Sequence, residues 1–199
     1  MAAAIDIFAE KGYRDATIAE ISERAGANVA SVNYHFGDKE TLYREAWRQS
    51  FHDSLSAHPP DGGIGDGAPV KERLRARVIS LLRKTTDPNN KEFMIVHKEL
   101  ANPTGLLAEV MLAELQPLRR KIHDLVRELL GPRPSEMQVR FCAIGIIGQC
   151  IMPSFLNKME KSEAEPESWR VENIEIYAEH VIKFSLAGMR AIRDDTDIF

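Results

Sequence analysis

The chain has little cysteine, only Cys142 and Cys150 in 199 residues. Eight positions apart in one helical stretch, they lie about 12 Å from each other, too far for a disulfide within that helix. Reduced, buried thiols of a cytoplasmic protein are expected. Neither has a flanking base to lower its pKa, which argues against a redox sensor. Long apolar runs are also missing: none approaches the roughly 20 residues of a membrane span. The N-terminus lacks the basic start, apolar stretch and cleavage site of a secretory leader. No strand pattern of any length and no internal repeat occurs. The six histidines, at 35, 52, 58, 97, 123 and 180, show no metal-ligand spacing. There is no His-Glu-x-x-His, Gly-x-Ser-x-Gly or phosphate loop. His97 and Glu99 are two apart and point to different sides of a helix. An enzyme, a metal and a cofactor are therefore not expected.

Positive charge is scarce too. The net charge is −4. Residues 1–56 hold six Lys and Arg (11, 14, 24, 39, 44, 48) against nine Asp and Glu (6, 10, 15, 20, 23, 38, 40, 45, 53), a net −3. Any attraction of this segment to phosphate must come from placement, since bulk charge opposes it.

What is present is a helical grammar, sharpest in residues 17–39. Thr17 is an N-cap residue and Glu20, three positions on, completes a capping box. Ile18, Ile21 and Ala25 repeat at helical spacing. Gly26 suits a left-handed turn that a Cβ would resist. Asn28 is a second N-cap. From it a short helix turns Val29, Val32 and Phe36 inward and Ser31, Asn33 and Tyr34 outward. Two short helices joined by a tight turn form a helix-turn-helix, whose second helix enters the DNA major groove.

The wording of this segment resembles a known family. Phe-Ala-Glu-Lys-Gly-Tyr (8–13), Thr-Ile-Ala-Glu-Ile (17–21), Ala-Gly (25–26), Tyr-His-Phe (34–36) and Lys-Glu (39–40) occur in order, with the spacing of the N-terminal signature of TetR-family transcriptional regulators. Asn-Val-Ala-Ser-Val-Asn-Tyr-His-Phe-Gly-Asp-Lys-Glu is most similar to the CecR-like subgroup. Beyond residue 50 the chain resembles the family in length, helical character and layout. The resemblance implies an all-α fold of about nine helices: a helix-turn-helix domain at 1–45 and a helical ligand-binding and dimerisation domain at 46–199. It implies a homodimer that binds a palindromic operator in double-stranded DNA and is released by a small-molecule effector, most often as a repressor. A dimeric helical ligand-binding protein with an inactive DNA module is the alternative, supported by the acidic balance. Related regulators usually carry another turn or more, often with Arg or Lys, before the point where Met1 stands. A chain without that turn lacks its phosphate contacts, each of which steepens the salt dependence of binding by about 0.9 in log–log slope.

Further along, Asp38 caps a helix over about 39–56, where Tyr43, Trp47 and Phe51 recur at i, i+4, i+8 as core. Residues 57–69 hold three prolines and four glycines, which predicts a flexible loop at a domain border. Helices are expected over about 70–86, 91–101, 105–130, 136–152 and 171–192. Pro117 should kink or split one of them, and Pro153 should end another. The stretch from Phe141 to Met152 is apolar almost all round, which predicts burial on more than one side. Gly145 and Gly148 leave a shallow face for another helix. Residues 157–170 should be a loop, and the tail from Asp194 disordered.

The candidate DNA-binding residues are as follows. Thr17 and Asn28, at helix N-termini, favour phosphate. Val29, Ala30, Ser31 and Asn33 form the outward start of the recognition helix. Asn33 can pair bidentately with adenine, and the Val29 or Ala30 methyl can touch thymine. Many family members have Tyr where this chain has Asn33. Tyr34 and Lys39 should reach backbone phosphates, and His35 either packs or bonds phosphate. The candidate effector-binding residues are Phe93, Met94, His97, Met111, Leu115, Gln149, Met152, Phe155 and Trp169. His97 and Gln149 stand out as polar groups on apolar helices, where a ligand, a water or an internal hydrogen bond must satisfy them.

Overall fold

A computed structural model describes residues 1–159 and 170–194. Among these residues the chain is all-α, with nine helices: α1 (Ala2–Asp15), α2 (Ile18–Ala25), α3 (Val29–Phe36), α4 (Lys39–Ala57), α5 (Val70–Thr86), α6 (Lys91–Ala101), α7 (Ala108–Leu130), α8 (Glu136–Met159) and α9 (Ile174–Asp194). They pack as two compact units. One is Met1–Ala57 with Pro88–Gln116; the other is His58–Asp87 with Pro117–Phe199. This packing division does not follow the position 45/46, because α6 and the first half of α7 belong to the first unit.

The first unit is built on aromatics. α1 leaves helical geometry at Gly12 (φ 77, ψ −177) and adds one short turn to Asp15. A Cβ at Gly12 would lie 3.2 Å from Lys98 Cβ on α6. α1 buries Ala4, Ile5, Ile7 and Phe8, and α4 buries Leu42, Tyr43, Ala46, Trp47 and Phe51. Trp47 and Phe51 stack with centroids 5.2 Å apart, and Phe8 meets the Tyr43 ring edge-on at 4.8 Å. Each such side chain removed from water contributes about 1.5–3 kcal/mol. α6 packs on α1 and α4 through the fully buried Ile95. The Glu99 carboxylate then fixes the turn into α7. It accepts the Thr104 and Gly105 amides, each at 2.9 Å, and the Tyr43 hydroxyl at 3.1 Å.

The second unit is aliphatic. α5 packs on α8 and α9, and α8 on α9. Leu74, Val78 and Leu82 of α5, Val126 and Leu130 of α7, Val139, Ala143, Ile146 and Cys150 of α8, and Ala178, Val181, Ile182 and Met189 of α9 make its core. The expected loop at 57–69 is tied to α5. Ser80 donates to the Pro59 carbonyl at 2.6 Å, and His58 Nε2 lies 3.0 Å from Asp87.

Several expectations are corrected. Pro153 does not end α8, which continues to Met159. Proline removes the N–H that would bond the carbonyl of Gln149. The Tyr177 hydroxyl supplies a donor to that carbonyl at 3.2 Å, and the Thr85 hydroxyl donates to the next one, Cys150, at 2.8 Å. Pro117 likewise lies inside a continuous α7, at the point where the chain passes from one unit to the other. α7 starts at Ala108, after Gly105 in the left-handed region (φ 77), and α9 starts at Ile174. α8 is not enclosed: Phe141, Ile144 and Met152 are more than half exposed. Glu136–Asn157 of α8, with mean hydropathy 1.6, is long and apolar enough to cross a membrane by length and composition alone. Cys142 is only half-buried, whereas Cys150 is buried. Most of the expected loop at 157–170, and the tail beyond Asp194, lie outside the described residues.

Candidate nucleic-acid interface

α2 starts with a complete capping box. Thr17 Oγ1 accepts the Glu20 amide at 3.2 Å, and Glu20 Oε2 accepts the Thr17 amide at 3.2 Å. Thr17 is exposed, but its hydroxyl also donates to Glu20 at 3.0 Å. The Lys11 ammonium and the Thr17 hydroxyl hold the Glu20 carboxyl below its usual range. A carboxylate therefore already sits at this positive helix end, and an incoming phosphate would meet it. Gly26 closes α2 in the left-handed region (φ 61).

α3 begins differently. Asn28 Oδ1 accepts the Ala30 amide at 2.8 Å, and the first turn holds no acidic residue. Behind it Val32 is buried and Phe36 half-buried. In front, Ala30, Ser31 and Asn33 are exposed, Val29 is 42% exposed and Tyr34 86%. This face carries methyls, a hydroxyl, a carboxamide and a phenol, with no charge among them. His35 does not pack inward; it is exposed, its ring centroid 5.4 Å from that of Tyr34. Gly37 (φ 76) ends the helix.

At the start of α4, Asp38 accepts the Thr41 amide at 2.7 Å, and this bond holds its carboxyl below the usual range. Lys39 is half-buried. Its ammonium lies 4.4 Å from the Tyr13 ring centroid and donates to the Arg14 carbonyl at 3.4 Å. Burial pushes its pKa down. The other cations of residues 1–56 are also engaged within the first unit. Lys11 pairs with Glu20, and Arg24 with Glu10 at 2.6 Å. Arg44 meets Glu40 at 3.3 Å, and Arg48 pairs with Glu45 and, at 3.1 Å, with Glu114. Arg14 donates to the Pro103 carbonyl at 3.3 Å.

The candidate effector residues divide between the units. Phe93, Met94, His97, Met111 and Leu115 belong to the first and are all half-buried. His97 Nδ1 lies 2.6 Å from the Phe93 carbonyl; a carbonyl only accepts, so Nδ1 carries the proton. Gln149, Met152 and Phe155 belong to the second. The Gln149 carboxamide donates to the Gly145 carbonyl at 3.1 Å, so an internal hydrogen bond satisfies its nitrogen. Met152 is 52% exposed. Trp169 lies outside the described residues.

A second uncovered surface runs along α8 and α9. Met137, Phe141, Ile144 and Met152 on α8, and Ile176 and Phe184 on α9, are 46–70% exposed. A Cβ on Gly145 or Gly148 would meet nothing within 4 Å. Of these six only Met152 was a site candidate. The recurrence of 137, 141, 144, 148 and 152 at helical spacing was the signal available for the rest.

Comparison with known proteins agrees with this layout. Residues 1–46 match the family described as bacterial regulatory proteins, tetR family. Residues 70–189 match the C-terminal domain of the HTH-type transcriptional dual regulator CecR. The chain is 28% identical to CecR of Shigella flexneri over 167 residues, covering 76% of this chain and 72% of that one. It is 26% identical to the biofilm operon icaADBC negative transcriptional regulator IcaR of Staphylococcus epidermidis, spanning 65% of this chain and a little under two thirds (66%) of IcaR. In fold it is similar to the regulator FadR from Bacillus subtilis in complex with stearoyl-CoA, with TM-score 0.69 and 15% identity over 94% of this chain and 96% of that one. A helix-turn-helix signature, and a C-terminal domain match that covers more than half of the residues, together establish that the chain belongs to the TetR family of transcriptional regulators, with a CecR-type C-terminal domain.

Proposed function

We propose that this protein is a cytoplasmic, homodimeric repressor that reads a palindromic operator and leaves it when a small molecule binds. Residues 1–45 are the DNA-binding module, and 46–199 carry the effector site and the dimer contact. The observation that carries the reading is the α3 face. Five consecutive-turn positions (Val29, Ala30, Ser31, Asn33, Tyr34) are exposed behind a neutral N-cap, as a helix entering the major groove requires. Asn33 reads adenine, Val29 and Ala30 touch thymine methyls, and Asn28, Tyr34, His35 and Lys39 contact the backbone, whereas the Glu20 carboxylate at Thr17 disfavours a phosphate there.

The apolar stripe of α8 and α9 supports a self-complementary four-helix contact. Two-fold symmetry would set the two recognition helices on half-sites about one helical turn apart. An effector shifts the protein from DNA only through unequal affinity for two conformers. IcaR, a negative regulator by its description, and FadR, seen with stearoyl-CoA, favour repression and a small-molecule effector.

The test is selection of bound fragments from random duplex DNA at low and near-physiological salt. An enriched palindrome is expected. No enrichment even at low salt would overturn the reading and favour a ligand-binding protein whose DNA module is silent.

A further inference from the structure

Residues 1–56 hold their positive charge in an unusual way for a module read as DNA-binding. Four of the six Lys and Arg side chains in residues 1–56, Lys11, Arg24, Arg44 and Arg48, sit on carboxylates of the same unit. A pair of this kind presents almost no net charge. Turning its cation to a phosphate leaves a bare carboxylate close to the DNA, so the exchange gains little. Such exposed pairs are weak in themselves, and what counts is the carboxylate left behind.

Arg14 and Lys39 differ. Among the described residues neither is in an ion pair with a carboxylate; Arg14 bonds the Pro103 carbonyl, and Lys39 bonds the Arg14 carbonyl and faces the Tyr13 ring, with Asp15 acting on it only through a weaker electrostatic attraction. Carbonyls and a ring hold a cation without cancelling its charge. Two of the four helix starts in residues 1–56 also carry carboxylates, Glu20 on α2 and Asp38 with Glu40 on α4. The start of α3 carries none.

Building on the DNA-binding reading above, we infer that this module binds its operator with very little counterion release, that Arg14 and Lys39 of each protomer supply nearly all of it, and that neutral groups on α3 do the rest. Arg14 thereby becomes a phosphate-binding residue beside Lys39. Tyr13 becomes a positioning residue, whose ring aligns the Lys39 ammonium with the Arg14 backbone.

A dimer with two such cations per protomer neutralises about four phosphates, which gives a log–log salt slope near −3.6 at about 0.9 per phosphate. Between 50 and 200 mM salt that is a loss of about 150-fold. Proteins making 6–10 phosphate contacts lose about 10³–10⁵-fold over the same range.

The experiment measures operator affinity of the intact protein across that salt range by fluorescence anisotropy, using the palindrome enriched from random duplex DNA. A slope no steeper than about −4 is expected, and a steeper slope overturns the inference. Arg14→Gln and Lys39→Gln should each flatten the slope by about 1.8 per dimer. The double variant Glu10→Gln with Arg24→Gln, which removes an exposed pair of zero net charge, should leave the slope unchanged. Unchanged slopes for the first two, or a flattened slope for the double variant, would also overturn it. Tyr13→Leu, which keeps the Lys39 charge and removes the ring, should weaken affinity without flattening the slope. Absence of binding at the lowest salt would overturn the DNA reading itself, and so is distinguishable from a steep slope, which overturns only the electrostatic inference.

Discussion

α3 and α8 each leave one face uncovered, and the faces differ in chemistry. α3 offers a hydroxyl, a carboxamide, a phenol and two small apolar groups over eight residues, with Tyr34 86% exposed. α8 offers Phe141, Ile144 and Met152 beside Gly145 and Gly148. The inner sides differ in parallel. α3 anchors through one buried residue, Val32, whereas α8 places Val139, Ala143, Ile146 and Cys150 in an aliphatic core. A short, lightly anchored helix with varied hydrogen-bonding groups suits the edges of base pairs, each of which presents donors, acceptors or a methyl. A long apolar stripe with a glycine groove suits another protein surface, where water is excluded and shape decides.

The comparison breaks most severely at Gly148. A Cβ there meets nothing in the single chain, so Gly148→Glu should leave helix content and core untouched. In a dimer it would bury an unpaired carboxylate, at a cost of about 3–5 kcal/mol. The expected result on sizing is a folded monomer. A persistent dimer mass would remove α8 from the interface.

Asn33→Ala tests the other face. Losing a bidentate base contact should cost about 1–3 kcal/mol and relax discrimination at one base position. A binding scan with unchanged preference at every position would remove Asn33 from direct readout, while the Gly148 result would stand independently.

Tyr177→Phe sharpens the account of α8. It leaves the Gln149 carbonyl without its hydroxyl donor beside Pro153, and should lower unfolding stability by about 1 kcal/mol in urea. No change would mean that water replaces the hydroxyl there.

The smallest effects concern titration. Burial pushes the Cys150 thiol up to about 12 and raises Cys142 as well. At neutral pH both are protonated, and the thiolate is the reactive form. Cys150 should therefore resist a thiol reagent until the chain unfolds; rapid labelling in the native state would contradict its burial. In the first unit, Arg24 holds Glu10 below the usual carboxylate range, and Lys11 does the same for Glu20. A lowered carboxyl pKa stabilises above the unfolded value and loses that contribution as pH falls through the folded one. The α1–α2 contact should therefore hold at neutral pH and loosen only on acidification below the ordinary carboxylate range. Loosening that begins near neutral pH would contradict these pairs.

Much of the first unit was legible. The Thr17 capping box, the left-handed Gly26 and the Asn28 cap depend on residues two to four positions apart, so local sequence states them directly. The aromatic repeat at Tyr43, Trp47 and Phe51 predicted a buried face for the same reason. The helix at 91–101 was readable from its Asn and Pro borders, but its packing on α1 and α4 was not, since it begins 34 residues after α4 ends and 76 after α1 ends. Pro153 misled for a related reason: a proline ends a helix only when nothing else satisfies the freed carbonyl, and here Tyr177, 24 residues on, does so. Whether His35 faces inward depends on how α3 packs, and the fold leaves it exposed.

The sequence by itself determined the all-α class, the helix-turn-helix and the family, because periodicity, caps and motif spacing are short-range properties that few other folds share. Only the tertiary structure decided which cations keep their charge. Whether Arg14 or Arg24 meets a carboxylate depends on side chains brought together by folding, and a count of net −3 over residues 1–56 is blind to that pairing.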